Sequence, residues 1–163
     1  MAALTLLIQE SPFYELNSLD LLIAMACKKE QRTSQLALSA LKDLLIHNLL
    51  PERKLKLFKD NTLTHEKMDL KRAMLYWYEE NLLKRIIKII EAIEEGLKSN
   101  ILFFKKNCMT IASDLLINKP EQEAKLLSML VNKLGDPSKD VCSKCTELLR
   151  KLLIEVIFFS VKI

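Results

Sequence analysis

The stretch from Glu121 to Ile154 constrains the fold more than any other part of the chain. Leu126, Leu127, Leu130, Val131 and Leu134 recur at three- and four-residue steps, which puts them on one apolar helix face. Gly135 then stands where a helix C′ residue is expected, and Asp136-Pro137 supplies a stop and a turn. A second periodic run begins at once with Val141, Cys145, Leu148, Leu149, Leu152 and Leu153. Two apolar-faced helices joined by so few residues form an antiparallel hairpin. A lone hairpin leaves its apolar face uncovered, so the rest of the chain must supply neighbours of the same kind.

A repeated triplet supplies them. Leu-Leu-Ile occurs at Leu6-Leu7-Ile8, Leu44-Leu45-Ile46, Leu115-Leu116-Ile117 and Leu152-Leu153-Ile154, with offsets of 38, 71 and 37 residues. The middle offset is close to twice the others, which reads as two repeat steps. Seven positions before the last three triplets stand the small residues Ala37, Cys108 and Cys145, which would let helices approach closely. A period near 37 residues is typical of HEAT or armadillo helix pairs, so the expected fold is all-α, an α-solenoid. Its core is expected to contain Leu44, Leu45, Leu115, Leu116, Leu130, Leu148 and Leu152.

Composition agrees with long helices. The chain holds only two Gly and four Pro, and half of it is hydrophobic. Its length suits a single helical-repeat domain over 1–163, expected to be a fragment of a longer solenoid. The formal charge of +4 permits RNA or acidic-protein contact without demanding either. No apolar run reaches transmembrane length, and no membrane partner is expected. Cys142 and Cys145 form Cys-x-x-Cys inside the expected last helix, without the preceding strand of a redox pair or the further ligands of a zinc site. They and Cys27 and Cys108 read as reduced structural thiols.

Along the chain, helices are expected over Leu16 to Cys27, Thr33 to Asn48, Lys71 to Leu97 and Asn100 to Asn118. Thr33 or Ser34 would cap the second of these, with Leu36 among its inward residues. Trp77 is expected as a core anchor. Residues 52–69 break the repeat pattern as a basic insertion. Arg53, Lys54, Lys56 and Lys59 there, with Lys84, Arg85 and Lys88 on the long helix, are the candidate RNA or partner contacts. The competing reading pairs these cations with Glu79, Glu80, Glu91 and neighbouring repeats. Asp136 is expected to accept N–H bonds at the start of the last helix, with Pro137 in its first turn.

Catalytic patterns are missing from the sequence. His47 and His65 are isolated, and Gly96 and Gly135 cannot form a phosphate-binding loop. No enzyme activity, cofactor, metal or small-molecule substrate is expected. By architecture the chain reads as a scaffold that binds along a helical surface.

A resemblance narrows this reading. The run Asn118-Lys119-Pro120-Glu121, Leu126-Leu127, Leu130-Val131-Asn132-Lys133-Leu134-Gly135-Asp136-Pro137 and Ser143-Lys144 resembles the signature of the CCAAT-binding-factor family of nucleolar ribosome-assembly proteins. Leu4 to Pro12, Ala40 to Leu44, Leu49 to Leu55 and Trp77-Tyr78-Glu79 resemble it in the same order. In that signature Asn132, Lys133, Gly135, Asp136 and Pro137 form the turn. The resemblance implies an α-solenoid in the nucleolus and hence the nucleus. It also implies a heterodimer with a second nucleolar complex protein and contact with pre-rRNA in the large-subunit precursor particle. The His-Pro-Asn-Met-Lys stretch that the family pattern places after Leu153 is absent here. A protein-only helical adaptor, or a reduced fragment without RNA contact, is the alternative.

Overall fold

The helices alternate between two layers. In the computed structural model, which describes residues 1–28, 30–56 and 70–161 and side chains as far as Glu155, these are α1 (Ala2–Glu10), α2 (Leu16–Ala26), α3 (Gln31–Leu44), α4 (Leu70–Lys98), α5 (Leu102–Asn118), α6 (Glu123–Asn132) and α7 (Lys139–Val161). A π-helical turn, Leu45–Leu49, extends α3, and a 3-10 turn, Lys133–Gly135, extends α6. Three antiparallel pairs follow: α2 on α3, α4 on α5, and α6 on α7. Between pairs, α2 packs on α4 in one layer, while α1, α3, α5 and α7 pack in succession in the other. The fold is all-α, a HEAT/armadillo-like stack of helix pairs.

The helical periods explain the packing. In α4 the buried residues Leu82, Ile86, Ile89, Ile90, Ile93 and Leu97 follow three- and four-residue steps along one stripe. The Leu-Leu-Ile triplets that begin at Leu6, Leu44, Leu115 and Leu152 fall in the α1/α3/α5/α7 layer, whereas a fifth, Leu21-Leu22-Ile23, lies in α2 of the other layer. Leu44, Leu45, Leu115, Leu130 and Leu148 are buried, with Leu116 and Leu152 half-buried. A fully buried Leu such as Leu44 contributes about 1.5–3 kcal/mol relative to exposure. Ala37, Cys108 and Cys145 are fully buried, so the small position before each triplet lies inside the stack.

The structure corrects the spacing argument at its centre. Helix α3 packs directly on α5, so the 71-residue offset is one step of the stack and not two. The excess comes from the 29-residue α4 and the chain that precedes it.

Several inward assignments are also corrected. Leu36, Leu127, Val131 and Leu134 are exposed, and Leu38 and Met129 take the core positions. Trp77 is 55% exposed and is no core anchor. Leu127 and Val131 follow Leu126 and Leu130 by one residue, about 100° round the helix, where no described element of the stack covers them. Helix α3 starts earlier than expected, at Gln31, and Ser34 is no cap: its Oγ donates to the Ala26 carbonyl at 2.6 Å, tying α3 to the end of α2. Gly135 does not adopt a left-handed C′ conformation; it closes the 3-10 turn with negative φ. The only positive φ among described non-glycine residues is at Gln122, which precedes α6.

Candidate functional site

The candidate basic residues divide by what holds them. After the π-helical turn the chain becomes extended at Leu50, and residues 50–56 form a strap across the second and third pairs. Arg53 forks onto the buried carboxylate of Glu79 in α4, with Nη2 2.6 Å from Oε1 and Nη1 3.2 Å from Oε2. The Lys56 backbone N–H donates to the same Glu79 Oε2 at 2.7 Å. On the other side the Leu55 N–H donates to Glu121 Oε2 at 3.0 Å, and Lys119 Nζ donates to the Leu50 carbonyl at 2.8 Å. Lys54 pairs with Glu123 at 3.1 Å.

These contacts set the electrostatics of Glu79. Burial pushes its carboxyl upward, but the Arg53 fork and the Lys56 N–H outweigh burial and hold it below the usual glutamate range. The Glu79 hydrogen bond in turn raises Arg53, so the pair stays charged.

On α4, Lys84 pairs with Glu80 one turn away at 3.1 Å, and Arg85 reaches Asp20 of α2 at 2.6 Å. Lys88 is exposed on the rim of a cleft of about 500 Å³ between the first pair and α4, lined also by Ile23, Cys27, Ser99 and Phe104. Thus Arg53, Lys54, Lys84 and Arg85 are held by carboxylates of this chain, while Lys56 and Lys88 have exposed side chains. Lys59 and the remainder of the insertion from residue 57 lie outside the described residues.

The turn between α6 and α7 is built around Asp136. Its Oδ1 accepts the Ser138 N–H at 3.1 Å, and its Oδ2 meets Lys105 of α5 at 3.1 Å and Lys133 at 3.6 Å. The Ser138 hydrogen bond, opposed by burial and aided by Lys105, holds the carboxyl below its usual range. Ser138 precedes the first helical residue, Lys139, and its carbonyl accepts the N–H groups of Val141 and Cys142. Pro137 therefore sits ahead of the helix and not in its first turn. Asn132 ends α6 exposed, and Gly135 has open space where a side chain would project.

The thiols complete this turn. Cys142 Sγ lies 3.0 Å from the Asp136 carbonyl and 3.1 Å from that of Leu134, and Cys145 Sγ donates to the Leu130 carbonyl at 3.0 Å. Cys142 meets carbonyls of the turn itself, while the Leu130 carbonyl met by Cys145 also accepts the Lys133 N–H. All four cysteines are free. Among the described residues no group of His, Cys, Asp and Glu could hold a metal, and no helix is long and apolar enough to cross a membrane. The anchors Glu121 and Lys105 were not singled out by sequence reasoning. Their partners lie 66 and 31 residues away, and no local pattern marks them.

No protein-family model matches the chain. Individual proteins do. The chain is 35% identical over 163 residues to CCAAT/enhancer-binding protein zeta of Homo sapiens, covering 94% of this chain and 16% of that protein. It is 34% identical over 173 residues to a ribosome biogenesis protein of Chaetomium thermophilum, covering 94% of this chain and 17% of that one. It is also 35% identical over 152 residues to nucleolar complex protein 1 of Drosophila melanogaster, covering 85% of this chain and 13% of that protein. The chain spans about one sixth of the length of the human and Chaetomium relatives. The shared span takes in nearly the whole helix stack.

Proposed function

We propose that the chain is a non-catalytic helical scaffold in nucleolar assembly of the large ribosomal subunit, of the CCAAT/enhancer-binding protein zeta type. The match to a ribosome biogenesis protein across nearly the whole chain carries this reading. The name of the fly relative supports placement in the nucleolus, and so in the nucleus. The partners proposed are a second nucleolar complex protein, as a heterodimer, and pre-rRNA in the precursor particle. No cofactor takes part.

Co-purification tests it. The tagged chain should recover large-subunit precursor rRNA after high-salt washing, with a nuclease-treated control, and should localise to nucleoli by imaging. Recovery of a clean protein pair without rRNA overturns the RNA half. It would favour a protein-only adaptor, a reading supported by the four candidate cations that are already engaged within the chain.

A further inference from the structure

Gln122 is held in a backbone conformation that a side chain disfavours. Its φ of 56° and ψ of 30° lie in the left-handed region. It ends the short connector, residues 119–122, that turns the chain from α5 into α6. Its own hydrogen bonds are local: its carbonyl accepts the Leu126 N–H at 3.1 Å, and its Nε2 donates to Glu121 Oε1 at 3.3 Å. The residues around it are held from far along the chain. Glu121 accepts the Leu55 N–H, Glu123 pairs with Lys54, and Lys119 donates to the Leu50 carbonyl. The strap therefore grips this region at three points, and Gln122 lies between two of them.

Helix α6 has little else to hold it. Of its residues Leu126, Met129 and Leu130 are buried. It packs chiefly on α5, with slighter contact to α7 and still less to α4. Its ion pair to α4, Lys125 to Glu94, is 3.9 Å long between partly exposed side chains, a kind that contributes little. The strap supplies the firmer link, because its Arg53 and its Lys56 N–H are fixed on Glu79 of α4. At its other end α6 runs into the 3-10 turn, beyond which Asp136 is fixed on Lys105 of α5. Helix α7 keeps its own broad packing on α5.

We infer that the strap is a latch on α6. It holds Gln122 in the left-handed conformation; when its grip is lost, Gln122 relaxes and α6 lifts from α5 while α5 and α7 stay packed. Opening uncovers Leu126 and Leu130 and frees Cys145 Sγ from the Leu130 carbonyl. A left-handed residue with a side chain persists only where its surroundings over-determine it, and here the strap does so. Elements with few buried apolar contacts are the ones that open locally, which fits α6 and not α5. The latch goes beyond the scaffold reading and needs no partner.

Native-state amide hydrogen exchange of the full chain tests it, followed helix by helix. Glu121→Ala removes the acceptor of the Leu55 N–H and leaves the Arg53–Glu79 pair in place. Amides of α6 should then exchange about tenfold faster, the effect of one hydrogen bond, with α3 and α5 unchanged. Gln122→Gly leaves the strap's contacts and removes the strain, so α6 should exchange about three- to fivefold more slowly. Unchanged α6 exchange in Glu121→Ala overturns the latch, and so does acceleration of α5 together with α6. Should Glu121→Ala fail to fold, Gln122→Gly decides alone: α6 exchange that is unchanged or faster in that variant overturns the inference.

Discussion

Gly96 of α4 lies so close to Cys108 of α5 that a Cβ at residue 96 would overlap the Cys108 Sγ and press on the Phe104 ring at 3.2 Å. Both residues are buried in the second pair. Gly96→Ala would gain about 1 kcal/mol of helix propensity and lose roughly 1–3 kcal/mol to overpacking. A net loss of stability is expected in a denaturant titration. Gly96→Ala combined with Cys108→Ala should lose less than the two single losses added, since removing the sulfur makes room. Strict additivity would contradict the overlap.

Glu79 should be a stability residue. Glu79→Ala strands Arg53 and the Lys56 N–H, and Arg53→Ala strands a buried carboxylate. Removing one partner of a fully buried pair costs about 3–5 kcal/mol. Arg53 is itself 45% exposed, so about 2–3 kcal/mol is expected, read as a lowered urea midpoint.

The same carboxylate gives a pH dependence. Glu79 and Asp136 both titrate below their usual ranges in the folded chain. A depressed folded pKa contributes stability that is present above the unfolded value, about 4.3 for Glu and 3.9 for Asp. That contribution is lost as pH falls through the folded value. Thermal midpoints should therefore fall below about pH 4.3, and Glu79→Gln should flatten the fall. An equally steep fall in the variant would assign the acid sensitivity elsewhere.

Asp136→Ala removes an acceptor for Ser138 and the anion between Lys105 and Lys133. The N–H bond alone predicts roughly 0.5–2 kcal/mol. Lys105 is largely buried against it, so a value at the top of that range is expected. Asp136→Asn should recover part of the loss by keeping an acceptor for the Ser138 N–H. Calorimetric midpoints for the two variants decide it.

Thiol labelling should follow burial. Burial pushes the Cys108 thiol up to about 12, and burial with the neighbouring Cys142 raises Cys145. Cys27 is exposed. A thiol reagent on the native chain near pH 8 should modify Cys27 first and reach Cys108 and Cys145 only on unfolding. Mass spectrometry of the modified peptides reads the order.

RNA binding by the candidate cations should run through Lys56 and Lys88, whose side chains are exposed. Reversing both to Glu should weaken binding to a structured rRNA fragment. It should also make the log-log salt slope shallower by about 0.7 for each single-strand phosphate no longer neutralised. Unchanged affinity and slope would remove these two lysines from the interface. Arg53 is a poor probe for this purpose, because reversing it sets two carboxylates against each other.

The sequence by itself determined the helices and their repeat. Three- and four-residue spacing, the scarcity of Gly and Pro, and the recurring Leu-Leu-Ile triplet with its preceding small residue follow from helix geometry, which acts locally. The turn at Asp136 was legible for the same reason. Tertiary structure decided which apolar residues are covered. Leu126 and Leu127 look alike in sequence, and only the position of the adjoining helices buries one and exposes the other. It also decided that the 71-residue offset is a single step, because an insertion and a longer helix lengthen a repeat without adding a layer. Arg53 and Lys56 look equally basic in sequence. Arg53 is held within the fold by Glu79, 26 residues away, through an ion pair that exists only once α4 is packed.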